Sequence, residues 1–427
     1  MSKLQELINK LCPNGVEFKP LREIGDFFGG LTGKSKEDFI DGNARFISYM
    51  NVYSNPALKL DLPDFVKIND GEKQNVVQYG DILFTGSSET PNECGMSSVV
   101  TTKPSEPLYL NSFCFGFRLI DINTFNLDFL KHLLRSYEVR GQIAKTANGV
   151  TRFNISKKLF ANIMIPVPPI EVQEEIVRIL DSFSDYAAEL QAELQARKQQ
   201  YEYYRNLLLT FNPSAYGCGT DDEQKDGVTT WGGHNYKIEW KKLGEIGNIC
   251  MCKRILKHQT NTKSGIPFYK IGTFGKVADS YISEDLFMEY KKKYSFPQKG
   301  EILISASGTI GRAVIYDGED AYFQDSNIVW INNDESMVLN KYLYYFYQIV
   351  DWNVEGGTIK RLYNTNLSNT PIPIPPLELQ EKIVAILDRF ETLVNDLTNG
   401  LPAEIAAVKD QYEYYRNKLL TFKKLSA

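Results

Sequence analysis

Three short stretches hold residues whose types and spacing could do chemistry. The run GGLTGKS at 29–35 ends like a phosphate-binding loop. That loop needs a glycine at position 28, where Phe28 stands, so a nucleotide-phosphate cradle is rejected. The sequences VEFK at 16–19 and IEWK at 238–241 each contain Glu-x-Lys, as some nucleases do. Neither has the upstream acidic partner, and both fall at matching places of a repeat, which reads as a surface strand. Cys250 and Cys252, with His258 beyond, are three metal-ligand types without a fourth partner at a usual zinc spacing. No glycine-rich dinucleotide fingerprint, G-x-S-x-G elbow or H-E-x-x-H helix occurs, nor the Asn-Pro-Pro-aromatic stretch of amino-methyltransferases. The chain therefore reads as a binding protein, not an enzyme, with no cofactor and no metal site of its own.

Composition bounds what it could bind. The 427 residues are too many for one core, and 43% are hydrophobic, enough for two. No apolar run reaches membrane-spanning length and the start lacks a signal-peptide core. The six scattered cysteines read as free thiols in a reducing compartment. A soluble, cytoplasmic protein with no membrane partner is expected. The net charge of −5 argues at first against nucleic acid, but the excess acid lies in 171–235 and 377–422. The two large remaining regions are mildly basic, which permits DNA binding.

The elements that would position a binding surface come as a tandem repeat. IPVPPIEVQEEIVRILDSF at 165–183 matches IPIPPLELQEKIVAILDRF at 372–390, and QYEYYRNLLLTF at 200–211 matches QYEYYRNKLLTF at 411–422. The two offsets, 207 and 211, leave four extra residues in the second copy, assigned to NGLP at 399–402. Upstream, VEFKPLREIGDF resembles IEWKKLGEIGNI, and YGDILF resembles KGEILI. The expected layout is an irregular α/β domain over 1–164 and a helix over 165–211. A Gly- and Asp-rich linker follows at 212–235, then a second α/β domain over 236–371 and a second helix with tail over 372–427. FCFGFRLI at 113–120 reads as a strand with Phe113, Phe115, Phe117 and Leu119 on one face.

Prolines 168 and 169, with Glu171, Glu174 and Glu175 behind them, mark a helix start. From there Ile176, Leu180, Phe183, Ala187, Leu190, Leu194, Arg197, Tyr201, Tyr204, Leu208 and Phe211 step by 4 and 3, a coiled-coil seam. The helix should run about 40 residues, about 60 Å. The second copy keeps the seam at Ile383, Leu387, Phe390, Val394, Leu397 and Leu401, then Ile405, Val408, Tyr412, Tyr415, Leu419 and Phe422. At NGLP it either stutters or breaks; as continuous helix those four residues would add about 6 Å to the bar. Connectivity implies two antiparallel helices and a pseudo-two-fold, the symmetry of readers that place two half-sites on duplex DNA. The residues beside the seam, Glu202, Tyr203 and Arg205 with Glu413, Tyr414 and Arg416, are candidates for one docking surface used twice.

Two divergent α/β domains, each followed by IPxPPxExQExIVxILDxF and QYEYYRNxLLTF, resemble the specificity subunit of a Type I restriction–modification system over nearly the whole chain. The resemblance implies two target recognition domains, each reading one half of a bipartite, asymmetric double-stranded DNA site. It implies helices that act as spacer and as docking surface for two methyltransferase subunits, through which restriction subunits join. S-adenosylmethionine, ATP and magnesium would belong to those partners. A stand-alone architectural DNA-binding protein and an enzyme with an unrecognised site are the competing readings.

DNA contacts are expected from polar loops at corresponding places in the two domains, where Gly-containing turns allow close approach and Arg, Lys, Ser and Thr reach phosphates or base edges. In the first domain these are Lys34, Ser35 and Lys36; Thr85, Ser87 and Ser88; and Asn148, Thr151 and Arg152. In the second they are Lys253 and Arg254; Ser305, Ser307, Thr309 and Arg312; and Lys360 and Arg361.

Overall fold

The computed structural model describes residues 3–211, 228–356 and 360–425. Cys218 and most of the expected linker lie outside them. The chain divides into two compact units, one of residues 1–191 with 404–427, the other of 192–403. Each unit is thus completed by a helix end from a distant part of the sequence.

In the first unit a four-stranded antiparallel sheet runs in the order Gly25–Gly29, Cys114–Leu119, Ile82–Thr85, Ser97–Val99. Phe84, Phe115, Phe117 and Phe160 form its aromatic core, with ring centroids 4.9–5.4 Å apart for the pairs Phe84–Phe160, Phe84–Phe115 and Phe115–Phe160. Gly116 has no side chain because the Phe28 ring fills that space; a Cβ there would lie 2.0 Å from the ring. Phe113 falls outside the strand, in the turn that precedes it, and is exposed rather than in line with Phe115 and Phe117. The second unit repeats the sheet as Asn248–Cys250, Ile328–Asn332, Ile302–Ser305, Ala313–Ile315. The two Glu-x-Lys stretches are indeed strands. Glu17–Pro20 pairs with Met164–Val167, and Glu239–Lys242 with Pro371–Ile374. At the end of the stretch read as linker, Val228–Trp231 and His234–Lys237 form a hairpin, closed by Gly232 and Gly233 at φ of 55° and 80°.

The first long helix, Ile170–Thr210, is 41 residues without interruption, and its seam is buried at Ile176, Leu180, Leu190, Leu194, Tyr201, Leu208 and Phe211. Its start is bolted to the α/β domain by a glutamine common to both repeats. Gln173 is fully buried; its oxygen accepts the Asn126 N–H at 2.8 Å and its amide donates to the carbonyls of Thr124 and Pro168. Gln380 does the same with the Leu339 N–H and the carbonyls of Met337 and Pro375. Those backbone groups have left regular structure, so the side chain satisfies what a turn would otherwise leave unpaired.

The second helix is two pieces, Leu377–Asn395 and Leu401–Leu419. NGLP is a break and not a stutter. The Asp396 carboxylate accepts the N–H groups of Thr398 and Asn399. A Cβ on buried Gly400 would lie 2.5 and 2.7 Å from the carbonyl oxygens of Thr392 and Asp396. Pro402 sits in the first turn of the next piece, where its missing N–H costs nothing. Leu397, expected in the seam, is 80% exposed because it lies in this turn. The continuous helix through which these four residues would lengthen the bar is therefore absent.

The repeated QYEYYRN holds each unit shut. In the first unit the helices run antiparallel, with Tyr186 bonded to Glu404 and Phe183 stacked on Tyr415 at 5.3 Å. Buried His132 lies between Asp181 (Nε2 to Oδ1, 2.7 Å) and the Tyr412 hydroxyl (Nδ1 to Oη, 2.8 Å), and Lys131 bonds Asp181 at 2.9 Å. In the second unit Tyr345 takes the place of His132, bonding Asp388 and Glu391, and Tyr204 stacks on Phe390 at 5.8 Å. Burial lowers the basicity of His132, against the opposing pull of Asp181, so the neutral ring is the stable form.

Two predictions follow from these bolts. Gln173→Leu or Gln380→Leu strands three backbone groups and should cost on the order of 1–3 kcal/mol, read as a lower urea midpoint. Because folding lowers the His132 pKa, its contribution is present above the unfolded value of about 6.5 and is lost as pH falls through the folded value. The urea midpoint should therefore drop between neutral and mildly acidic pH, and His132→Tyr, the residue the second unit uses, should flatten that slope. An identical slope in the variant would remove His132 as its source.

Candidate nucleic-acid interface

In the first unit, strand Ile82–Thr85 ends at Gly86, and Ser87–Ser88 then pair with Phe153–Asn154. This sheet brings the second and third groups of expected contact residues together. Arg152 donates through Nε and Nη2 to the Ser87 hydroxyl at 3.2 and 3.0 Å, and its guanidinium lies 5.4 Å from the Phe113 ring. Asn148, Thr151 and Arg152 are exposed, Ser88 is half-buried, and its hydroxyl bonds Glu93. Thr85 is buried and its hydroxyl accepts the Met96 N–H, so it shapes the turn and presents nothing to solvent. A cleft of about 520 Å³ opens here, lined by Tyr49, Met50, Phe113, Thr151 and Arg152 among others.

Two arginines underpin this loop. Arg140 donates to the carbonyls of Asn92, Cys94 and Gly95, each at 2.6 Å, and Arg135 to those of Val52, Tyr53 and Ser97. Burial pulls both down to about 10, which leaves them cationic at neutral pH. The first group of candidates is placed differently. Lys34 is buried against Glu72 and the Lys67 carbonyl at 2.6 Å, Ser35 bonds Asp38, and only Lys36 is exposed without such a partner. Glu72 is held at about 2, first by the Asn69 N–H and then by Lys34, so this ion pair is built into the fold.

In the second unit all three groups converge. Ser305 is buried and closes its own loop, donating to the Thr309 carbonyl at 2.5 Å and accepting the Arg312 N–H at 2.9 Å. Ser307 bridges to Arg361 through the backbone, Arg361 Nη2 donates to the Ser326 carbonyl at 2.6 Å, and Arg254 pairs with neighbouring Asp325 at 2.9 Å. Arg312 donates to the Phe274 carbonyl, Lys253 lies 5.2 Å from the Tyr294 ring, and Thr309 and Lys360 are exposed. The backbone registers match the two units residue by residue: Ile155 N–H bonds Gly86 O and Leu362 N–H bonds Ala306 O, both at 2.9 Å, so Arg361 stands where the first unit has Asn154.

The docking candidates also divide. Tyr203 and Tyr414 are 61% and 59% exposed, and Glu202 and Glu413 face solvent. Arg205 and Arg416 do not: each guanidinium lies 5.3 Å from the ring four residues earlier, Tyr201 and Tyr412, and Arg205 also bonds Gln348 at 2.9 Å. They brace the helix ends. The sequence reading did not include Phe113, Met50 and Asn327, which the fold places beside the expected DNA contacts; no charge or glycine-rich turn next to them in the sequence marks them.

Comparison with known proteins supplies the family. The model described as Type I restriction modification DNA specificity domain matches residues 13–197 and 236–407. A putative type I restriction enzyme specificity subunit of Haemophilus influenzae is 53% identical over 64% of this chain and 68% of its own length. The EcoR124I/EcoR124II specificity subunit of Escherichia coli is 31% identical over 61% of each. Among solved structures, a chain from work on complex assembly and conformational transition of the type I R-M system shares the fold at TM-score 0.61, with 19% identity. It covers 96% of this chain and 98% of that one. The HsdS subunit of Thermoanaerobacter tengcongensis does so at TM-score 0.52 and 18% identity, over 96% and 97%. With its two α/β units each followed by the same long-helix motif, the chain belongs to the Type I restriction–modification DNA specificity subunit family.

Proposed function

We propose that this chain selects the DNA target of a Type I restriction–modification complex, each α/β unit reading one half of a bipartite, asymmetric site. The observation that carries the reading is one scaffold used twice with different tips. Gln173 and Gln380 make the same bonds in both units, and Asp181 and Asp388 anchor the same helix position, through His132 in one and Tyr345 in the other. The tips carry Phe113 and Arg152 in one and Asn327, Arg254 and Arg361 in the other. A repeat that keeps its frame and changes its tips suits two unlike half-sites. The family is one of DNA specificity and not of catalysis.

The exposed Glu202–Tyr203 and Glu413–Tyr414 pairs are the matching surfaces for two methyltransferase subunits, with restriction subunits joining through the complex. Exposed tyrosine flanked by carboxylate has the make-up of an interface anchor. The self-associating architectural alternative finds less support, because most of the aliphatic seam residues, among them Ile176, Leu180, Leu190, Leu194, Ile383, Leu387, Ile405 and Val408, are already buried within this chain.

Arg152→Ala should weaken binding of the assembled complex to its target about 5- to 150-fold, by loss of about 1–3 kcal/mol, in an equilibrium binding assay at fixed salt. Full affinity would remove Arg152 from the interface. Tyr203→Ala with Tyr414→Ala should cut co-purification of the methyltransferase subunit on the order of tenfold while circular dichroism stays unchanged, since neither ring is in a core. Undiminished recovery of the partner would move its docking site elsewhere.

A further inference from the structure

We infer that Phe113 and Asn327 are base-reading residues, one in each unit, with Phe113 contacting a thymine methyl and Asn327 an adenine edge. The inference rests on the reading of the units as half-site readers and names side chains that do the reading.

The two residues occupy one position of one turn. Gly86 N–H bonds Phe113 O at 2.7 Å, and Ala306 N–H bonds Asn327 O at 2.7 Å. The next residue pairs with the central strand in the same register, Cys114 with Thr85 and Ile328 with Ser305. Both turns sit beside the strand pairing that carries the basic candidates, Ser87–Asn154 in one unit and Ser307–Arg361 in the other. What differs is the side chain.

In the first unit it is a phenyl ring 56% exposed, on a backbone pinned at both ends, since Phe113 N–H also donates to Asn111 Oδ1 at 2.8 Å. A single exposed apolar side chain needs no explanation. This ring, however, shares a cleft with Met50, itself 59% exposed, and carries the Arg152 guanidinium against it. An apolar pair beside an oriented guanidinium matches the major-groove edge of thymine next to guanine, a methyl group beside two acceptors. In the second unit the residue is an amide whose oxygen is anchored by the Ser307 hydroxyl at 2.8 Å, which orients the side chain. Asparagine is the side chain whose donor and acceptor match adenine N7 and N6.

The test uses the chain assembled with its methyltransferase subunits. Targets are selected from randomised duplexes, and the selected site is then altered one base at a time. Replacing one thymine of one half-site by deoxyuridine, which removes only the methyl, should weaken wild-type binding about fourfold. The same replacement should have no effect on Phe113→Ala. One 7-deazaadenine in the other half-site should weaken binding about fivefold. Phe113→Asn should change the selected base in the first half-site alone. Asn327→Asp, which keeps the shape, should exchange adenine for cytosine in the second alone. A complex that selects a bipartite sequence yet tolerates every deoxyuridine and keeps its wild-type target in both variants overturns the assignment of these residues while sparing the half-site reading. A wild-type complex that selects no sequence overturns that reading, and this inference with it.

Discussion

Each α/β unit depends on a helix end that the chain supplies from elsewhere in its length. Residues 404–427 complete the first unit and 192–211 belong to the second. The contact is made by the same motif in both: a tyrosine, Tyr412 or Tyr201, with an arginine braced on its ring, set against an aspartate-anchored helix of the α/β domain. This accounts for the recurrence of that tyrosine and arginine, which must fit the frame common to both repeats, while Glu202, Tyr203, Glu413 and Tyr414 face solvent. The chain end continues the seal, as Val16 exchanges hydrogen bonds with Lys423 and Leu425.

The same constraint explains where the copies are free to differ. The glutamine bolts and the aspartates of the ILD segments fix how each helix leaves its domain. The tips beyond Gly86 and Ala306 share only their backbone bonds; the side-chain bonds added to these differ between the units, Arg152 to Ser87 in one and Ser307 to Asn327 in the other. Half-buried arginines do the corresponding work behind the first tip: Arg135 and Arg140 hold a turn-rich loop by its carbonyls, so the loop keeps its shape without constraining the residues it presents. Recognition can change while the fold does not.

Much of the frame was legible in the sequence because it is periodic. The 4-and-3 spacing from Ile176 onward placed a helix that is in fact 41 residues long, and the prolines before it marked its start. Gly400 and Pro402 raised the question of a break, but only the crowding of Gly400 against two carbonyls answered it. The misses have a common cause: they depend on partners distant in sequence. Lys34 reads as a solvated lysine until Glu72 lies beside it, and Gln173 reads as an exposed first-turn residue until the loop at 124–126 folds over it. Phe113 followed the alternation of its strand on paper, and the turn at Asn111 took it out of that alternation. Arg205 and Arg416 read as docking residues beside the seam, although a tyrosine four residues earlier on a helix is within reach of stacking, and each guanidinium lies against that ring.

The central claim is that two unlike readers on one repeated frame give one asymmetric, two-part specificity. Mapping of modified bases across the genome of a host carrying this chain with its methyltransferase partner tests it directly. The account predicts one motif of two different half-sites separated by a gap of fixed length, lost when the chain is deleted. A single continuous motif, two identical half-sites, or a pattern that survives the deletion would contradict it.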